Sequence, residues 1–209
     1  MKRFALLALL IAALGNPLQA RASEPQQTIV LAGGCFWGMQ AVFGSLKGVK
    51  ATAGYAGGAA STAHYDIVSG GGTGHAESVE LVYDPSQISL QQILDVYFLV
   101  AHDPTELNRQ GPDEGTQYRS EIFYTTAEQR AAAEASIAEL TRSRAFAGPI
   151  VTKVTRLNGF YAAEGYHQDY AVHNPDNPYI VFNDIPKLRA LVAKYPSLVR
   201  PGSPAATLH

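Results

Sequence analysis

Apolar positions along the chain change period several times, and the changes mark out the elements. Thr28 to Leu31 is a short continuous apolar run closed by Gly33-Gly34, the pattern of a buried strand. Cys35 then opens a stretch in which Phe36, Met39, Gln40 and Phe43 recur at helical spacing, as do Met39, Val42 and Leu46, until Gly48 stops it. Val49 to Tyr55 reads as a second strand. From Gly54 to Gly74 the pattern lapses into a loop with seven glycines, in which Tyr55, His64 and Tyr65 are the large side chains. A long loop of that kind is usually functional or disordered. Ala76 to Tyr83 alternates as a strand and ends at Asp84-Pro85, and Ser89 with Gln92 forms a capping box for a helix through Leu90, Ile93, Leu94, Tyr97 and Phe98.

His102 to Tyr118 is a second polar loop, and Arg119 to Tyr124 a strand. An Ala-rich helix is predicted from about Thr126 to Arg142, a strand over Pro149–Thr155 and a helix over Ala162–Tyr170. From His173 on the chain reads as a Pro- and Asn-rich tail with one short helix near Pro186–Tyr195. The order β-α-β-loop-β-α-loop-β-α-β-α predicts an α+β protein, a ferredoxin-like mixed sheet with packed helices and long Gly-rich and polar loops, rather than a doubly wound parallel sheet.

The first residues read as an address. Lys2 and Arg3 precede an unbroken apolar run from Phe4 to Leu14, and Ala20-Arg21-Ala22 is a small-x-small cleavage site. The expectation is a signal peptide over residues 1–22, then a single catalytic domain over 23–209 with an extended tail from about 173. The protein would be periplasmic or secreted, with no membrane attachment after cleavage. The 209 residues carry 16 Lys+Arg against 18 Asp+Glu; losing Lys2, Arg3 and Arg21 leaves 13 against 18, a net charge of −5. That balance removes the electrostatic case for nucleic-acid binding. A monomer is expected.

One cysteine excludes an internal disulfide, and the histidines show no metal-ligand spacing, so neither a metal nor a bound cofactor is expected. Cys35 lies where a strand ends and a helix begins. Unpaired N–H groups and the helix dipole there favour an anion, which predicts a thiolate of lowered pKa and a nucleophile. The alternative is an inert buried thiol. Phe36 and Trp37 follow at once and would make a wall able to hold a methyl group next to sulfur. In the strand Ala76–Tyr83, residues 77, 79, 81 and 83 share a face, so Glu77 falls on the apolar side. A desolvated carboxyl keeps its proton to higher pH and can donate it near neutrality. If the strand begins one residue later, Glu77 is instead a solvated end.

The blocks Gly34-Cys35-Phe36-Trp37-Gly38, Gly54-Tyr55-Ala56-Gly57-Gly58, Thr73-Gly74-His75-Ala76-Glu77, His102-Asp103-Pro104-Thr105, Asn108-Arg109-Gln110-Gly111 and Gly115-Thr116-Gln117-Tyr118-Arg119-Ser120 closely resemble peptide methionine sulfoxide reductase A. Glu164-Gly165-Tyr166-His167-Gln168 adds a further match, and the resemblance runs over roughly residues 28 to 185. It implies reduction of methionine (S)-sulfoxide, free or in oxidised proteins and peptides, through a sulfenic acid on Cys35. It implies Glu77 as proton donor, Tyr65 and Tyr118 as hydrogen-bond donors to the sulfoxide oxygen, and Phe36 and Trp37 as the methyl pocket. Asp113 would help order the site through water, and His75 would support it from behind. On residue type alone, Tyr65 could only pack its loop, Tyr118 could be a core tyrosine and Asp113 a turn residue. The family often carries further cysteines near the C-terminus; the stretch His173–His209 has none. The sulfenic acid would then need an external thiol reductant, a thioredoxin-like protein or a small thiol, acting through a mixed disulfide. Two competing readings are a one-cysteine thiol peroxidase and a module that binds Met-rich segments without turnover.

Overall fold

The structure is a computed structural model that describes residues 25–207, so the predicted leader lies outside the described residues. β1 (Gln27–Gly33) is the buried strand expected from its apolar run, and it sits inside a sheet between two neighbours. α1 (Phe36–Gly44) follows after a two-residue turn, then β2 (Val49–Ala56). The Gly-rich loop holds one helical turn, α2 (Tyr65–Val68), before β3 (Ala76–Tyr83). α3 (Leu90–Val96) starts at the capping box of Ser89 and Gln92 and runs on into a π-helical turn, Tyr97–Ala101.

The second polar loop contains a small hairpin of β4 (Arg109–Gln110) and β5 (Asp113–Glu114) and a 3-10 turn, Thr116–Tyr118. β6 (Ser120–Tyr124), α4 (Ala127–Arg142) and β7 (Lys153–Arg156) come next, the last shifted a few residues beyond the predicted strand.

The six-stranded mixed sheet has the order β7-β6-β1-β3-β2-β8, where β8 is Phe160–Ala162. β3 pairs antiparallel with both β1 and β2, and the register sets Tyr55 opposite Glu77 and Leu31 opposite Val79. β6 is antiparallel to β1, and β7 joins β6 in parallel. The period of two holds across the sheet. Ile29, Leu31, Val79 and Leu81 share the main core with Met39, Val42 and Phe43 of α1 and with α3. Val30, Ala32, Ala56, Ala76 and Phe123 form a smaller cluster on the other face.

Two expectations fail. The helix predicted over Ala162–Tyr170 is a strand end, a 3-10 turn (Gly165–His167) and the short α5 (Tyr170–His173). β8 completes the edge of β2, with Gly54 opposite Ala162, and the Gln168 amide carries on the pairing: it accepts from Ala53 N–H and donates to the Ala53 carbonyl, both at 3.0 Å. Backbone groups satisfied by the sheet edge are unavailable to a helix.

The stretch read as an extended tail is folded onto α1. A π-helical turn, Ile180–Asp184, leads into α6 (Ile185–Lys194), and α7 (Pro204–Thr207) follows. Ile180, Leu188, Leu191 and Ala205 are buried, and Ala205 N–H donates to Ser45 Oγ at 2.9 Å. Burying side chains of the size of Leu or Ile stabilises by about 1.5–3 kcal/mol each, which outweighs the poor helix propensity of the Pro- and Asn-rich lead-in.

Candidate functional site

The turn between β1 and α1 is closed by side chains that leave no room for a Cβ. Gly34 has φ +95°, and a Cβ there would lie 2.6 Å from Gln110 Cγ; one on Gly33 would lie 2.8 Å from the His102 ring. Cys35 follows as the N-cap of α1. From β3, the next strand but one, Glu77 reaches the same helix end and accepts the Phe36 N–H at 3.1 Å through Oε2.

Glu77 is only 2% exposed, as the strand alternation predicts. Burial pushes its carboxyl up from 4.5 to about 8, against the opposing pull of the Phe36 N–H, so it carries a proton at neutral pH. Cys35 is not the thiolate expected from its position. It is 8% exposed, and burial followed by the charges of Glu77 and Asp184 pushes its thiol well above the usual range. The Trp37 N–H at the helix end pulls the other way and is outweighed. Cys35 therefore rests as a thiol beside a carboxyl that is also protonated.

Tyr65 and Tyr118 come to this place from the two loops, and both are half-buried. Burial and then the charge of Glu77 raise both phenols, and Cys35 and Asp113 act on both as well. Each keeps its proton and is a donor. Tyr65 is fixed by Glu164, whose Oε1 accepts the Tyr65 N–H at 3.0 Å while Oε2 accepts the Tyr55 hydroxyl at 2.8 Å.

Trp37 is half-buried and presents the aromatic wall. It stacks on Tyr170 with ring centres 3.8 Å apart, meets Tyr179 edge-on at 5.8 Å, and donates its indole N–H to His167 Nδ1 at 3.1 Å. Phe36 is almost wholly buried against His167 and Tyr55, so it backs the wall rather than offering a face. Asp113, on β5, accepts the Tyr179 hydroxyl; burial raises its carboxyl, offset by that bond and by Lys187.

His75 does not reach the pocket. It is buried, its Nδ1 accepts from Gly58 N–H at 3.2 Å, and its Nε2 donates to the Ala59 carbonyl at 2.9 Å. It ties down the Gly-rich loop. Among the described residues no group of three His, Cys, Asp or Glu is placed to hold a metal ion.

Five further residues of the site escaped the sequence reading as individuals: Glu164, His167, Tyr170, Tyr179 and Asp184. The first two stand in the Glu-Gly-Tyr-His-Gln block, which marks a resemblance without revealing that its histidine receives Trp37. The other three lie in segments with no periodicity that points to a site. Asp184 is fully buried, pairs with Lys187 at 3.1 Å, and lies so close to α1 that only glycine fits at position 38.

The family model described as peptide methionine sulfoxide reductase matches residues 27–197. A protein named peptide methionine sulfoxide reductase MsrA 2 from Synechocystis is 50% identical over 181 residues, covering 86% of this chain and 84% of that protein. One of the same name from Mesorhizobium japonicum is 50% identical over 182 residues, covering 87% and 93%. Among solved structures, Mxr1 from Saccharomyces cerevisiae in reduced form superposes with a TM-score of 0.68 at 32% identity, covering 75% of this chain and 92% of that one. Methionine sulfoxide reductase A of Corynebacterium diphtheriae gives 0.64 at 34% identity, covering 74% and 78%. A cysteine and a protonated carboxyl at one helix end, with phenol donors and an aromatic wall around them, thus sit in a chain that belongs to the peptide methionine sulfoxide reductase family and reduces methionine sulfoxide.

Proposed function

We propose that Cys35 attacks the sulfur of methionine (S)-sulfoxide, free or within a polypeptide, while Glu77 protonates the departing oxygen. The observation that carries this reading is the buried, protonated Glu77 held by the Phe36 N–H next to Cys35. A sulfoxide oxygen is a poor leaving group until it gains a proton, so an acid near neutrality is the first requirement. As a bond forms between Cys35 Sγ and the substrate sulfur, the oxygen takes the Glu77 proton, and the thiol proton of Cys35 refills the carboxyl. Tyr65 and Tyr118 donate hydrogen bonds to the oxygen while its charge grows. The half-buried face of Trp37 receives the S-methyl group, with Tyr170 behind it. Asp113 orients Tyr179 at the edge of this wall.

Collapse of the adduct passes the oxygen to Cys35 as a sulfenic acid and releases methionine; two electrons leave the thiol sulfur and reduce the sulfoxide. With Cys35 the one cysteine of the sequence, an external thiol then attacks the sulfenic sulfur and expels water. A second thiol equivalent frees Cys35. A thioredoxin-like protein or a small thiol supplies both. The basic start, the apolar run Phe4–Leu14 and Ala20-Arg21-Ala22 support action outside the cytoplasm, in the periplasm or medium. For the fold, the order β6-β1-β3-β2 of the four central strands, with α1 and α3 as crossovers, supports the ferredoxin-like description.

The test is single-turnover reaction with methionine (S)-sulfoxide in the absence of reductant, followed by mass spectrometry and a sulfenate probe. One added oxygen on Cys35 and one methionine released per protein are expected. Methionine formed without oxygen on Cys35, or formed by Cys35→Ser, overturns the reading.

A further inference from the structure

We propose that Tyr166 and Phe182 form an aromatic rim that receives the apolar residues flanking an oxidised methionine in an extended polypeptide. Both are exposed out of proportion to their size, at 63% and 77%. Each is one residue removed from Trp37, Tyr166 by way of His167 and Phe182 by way of Tyr179. Tyr166 lies 4.2 Å from the His167 ring, which in turn contacts Tyr65 at 4.4 Å and accepts the Trp37 indole N–H. Phe182 lines a groove of about 210 Å³ together with Gln110, Pro112, Tyr179 and Lys187. Two of its lining residues also touch the site. Gln110 packs on Gly34 next to Cys35, and Tyr179 meets Trp37 edge-on and is held by Asp113.

A free amino acid fills the pocket at Trp37 and reaches neither ring. A polypeptide seated in the same pocket continues beyond it, and the exposed rings of Tyr166 and Phe182 are apolar surface beside the pocket for its flanking residues. Exposed aromatics beside a site that already takes peptide substrates mark a surface of recognition. Their occupant is an unfolded segment with apolar neighbours, because a folded surface does not offer its methionine in extended form with apolar flanks free.

The inference rests on the proposed reading of the pocket at Cys35 and Trp37, and its test separates the two. Phe182→Ser and Tyr166→Ser change exposed side chains, so the fold is kept. Steady-state kinetics are compared on free methionine sulfoxide, on a peptide with its oxidised methionine between two leucines, and on one with it between two serines. Covering about 60 Å² of ring corresponds to about tenfold in affinity. Each variant should raise KM for the leucine peptide about tenfold, change the serine peptide less than threefold, and leave free methionine sulfoxide as it was. Equal KM increases for all three substrates would show damage to the pocket and overturn the rim. An unchanged leucine-peptide KM with a raised KM for the thiol reductant would assign the surface to the reductant and overturn it as well. Failure of wild type to turn over free methionine sulfoxide would sink the reading of the pocket instead.

Discussion

Replacing Glu77 by Gln separates the two consequences of burying a carboxyl. The side chain is 2% exposed and titrates at about 8 instead of 4.5. A group whose folded pKa is raised contributes its full stability below the unfolded value and loses it as pH rises toward the folded value, because the unfolded chain ionises first. From 4.5 up to pH 7 the accumulated loss is about 3 kcal/mol. Gln has the same shape, still accepts the Phe36 N–H through its carbonyl, and never ionises. Glu77→Gln should therefore be more stable than wild type by about 3 kcal/mol at pH 7, or roughly 9 °C in Tm, and nearly equal to it at pH 4.5. Turnover should fall by about 10²- to 10⁴-fold at neutral pH, the range for loss of a general acid. Urea unfolding of both proteins from pH 4.5 to 8 gives the difference curve, and wild-type activity should decline as pH rises through about 8. Alkylation of Cys35 should begin at lower pH in the variant, since a neighbouring negative charge is gone. A difference curve that is flat across this range, or a variant within tenfold of wild-type turnover, would refute the buried-acid argument.

Tyr65→Phe and Tyr118→Phe should each lower kcat by about 10² with a smaller change in KM, because the hydroxyls matter most as charge builds on the oxygen; single-turnover rates check this, and a change in KM alone would contradict it. Gly38→Ala in α1 should destabilise by about 2 kcal/mol despite the better helix propensity of alanine, since its Cβ would lie 2.0 Å from Asp184 Oδ1. Urea unfolding should show part of that loss recovered in the double variant with Asp184→Ala, and a stabilised Gly38→Ala would show that the carboxyl does not press on the helix.

Hydrophobic order along the chain was enough to mark β1, α1, β3 and the helix capped by Ser89, and it offered the buried face for Glu77 as one of two placements, between which the sheet decided. Each depends on side chains two to four residues apart, where period alone decides which surface is buried. The motif blocks likewise contain Cys35 and Tyr118, and the resemblance they carry implied roles for Tyr65 and Asp113, which stand outside the blocks. Tertiary structure decided the rest, because the deciding contacts join distant segments. The Cys35 thiol is governed first by burial and then by carboxyls from β3 and from the turn before α6, which together outweigh the local pull of its own helix end. Trp37 gains its hydrogen-bond acceptor from a histidine 130 residues away, and its stacking partner from the end of a stretch that reads as a helix with no sign of a site. β8 exists because β2 has a free edge, and the C-terminal stretch is ordered by apolar surface on α1. Burial and edge pairing are properties of the assembled sheet, and no local window of residues contains them.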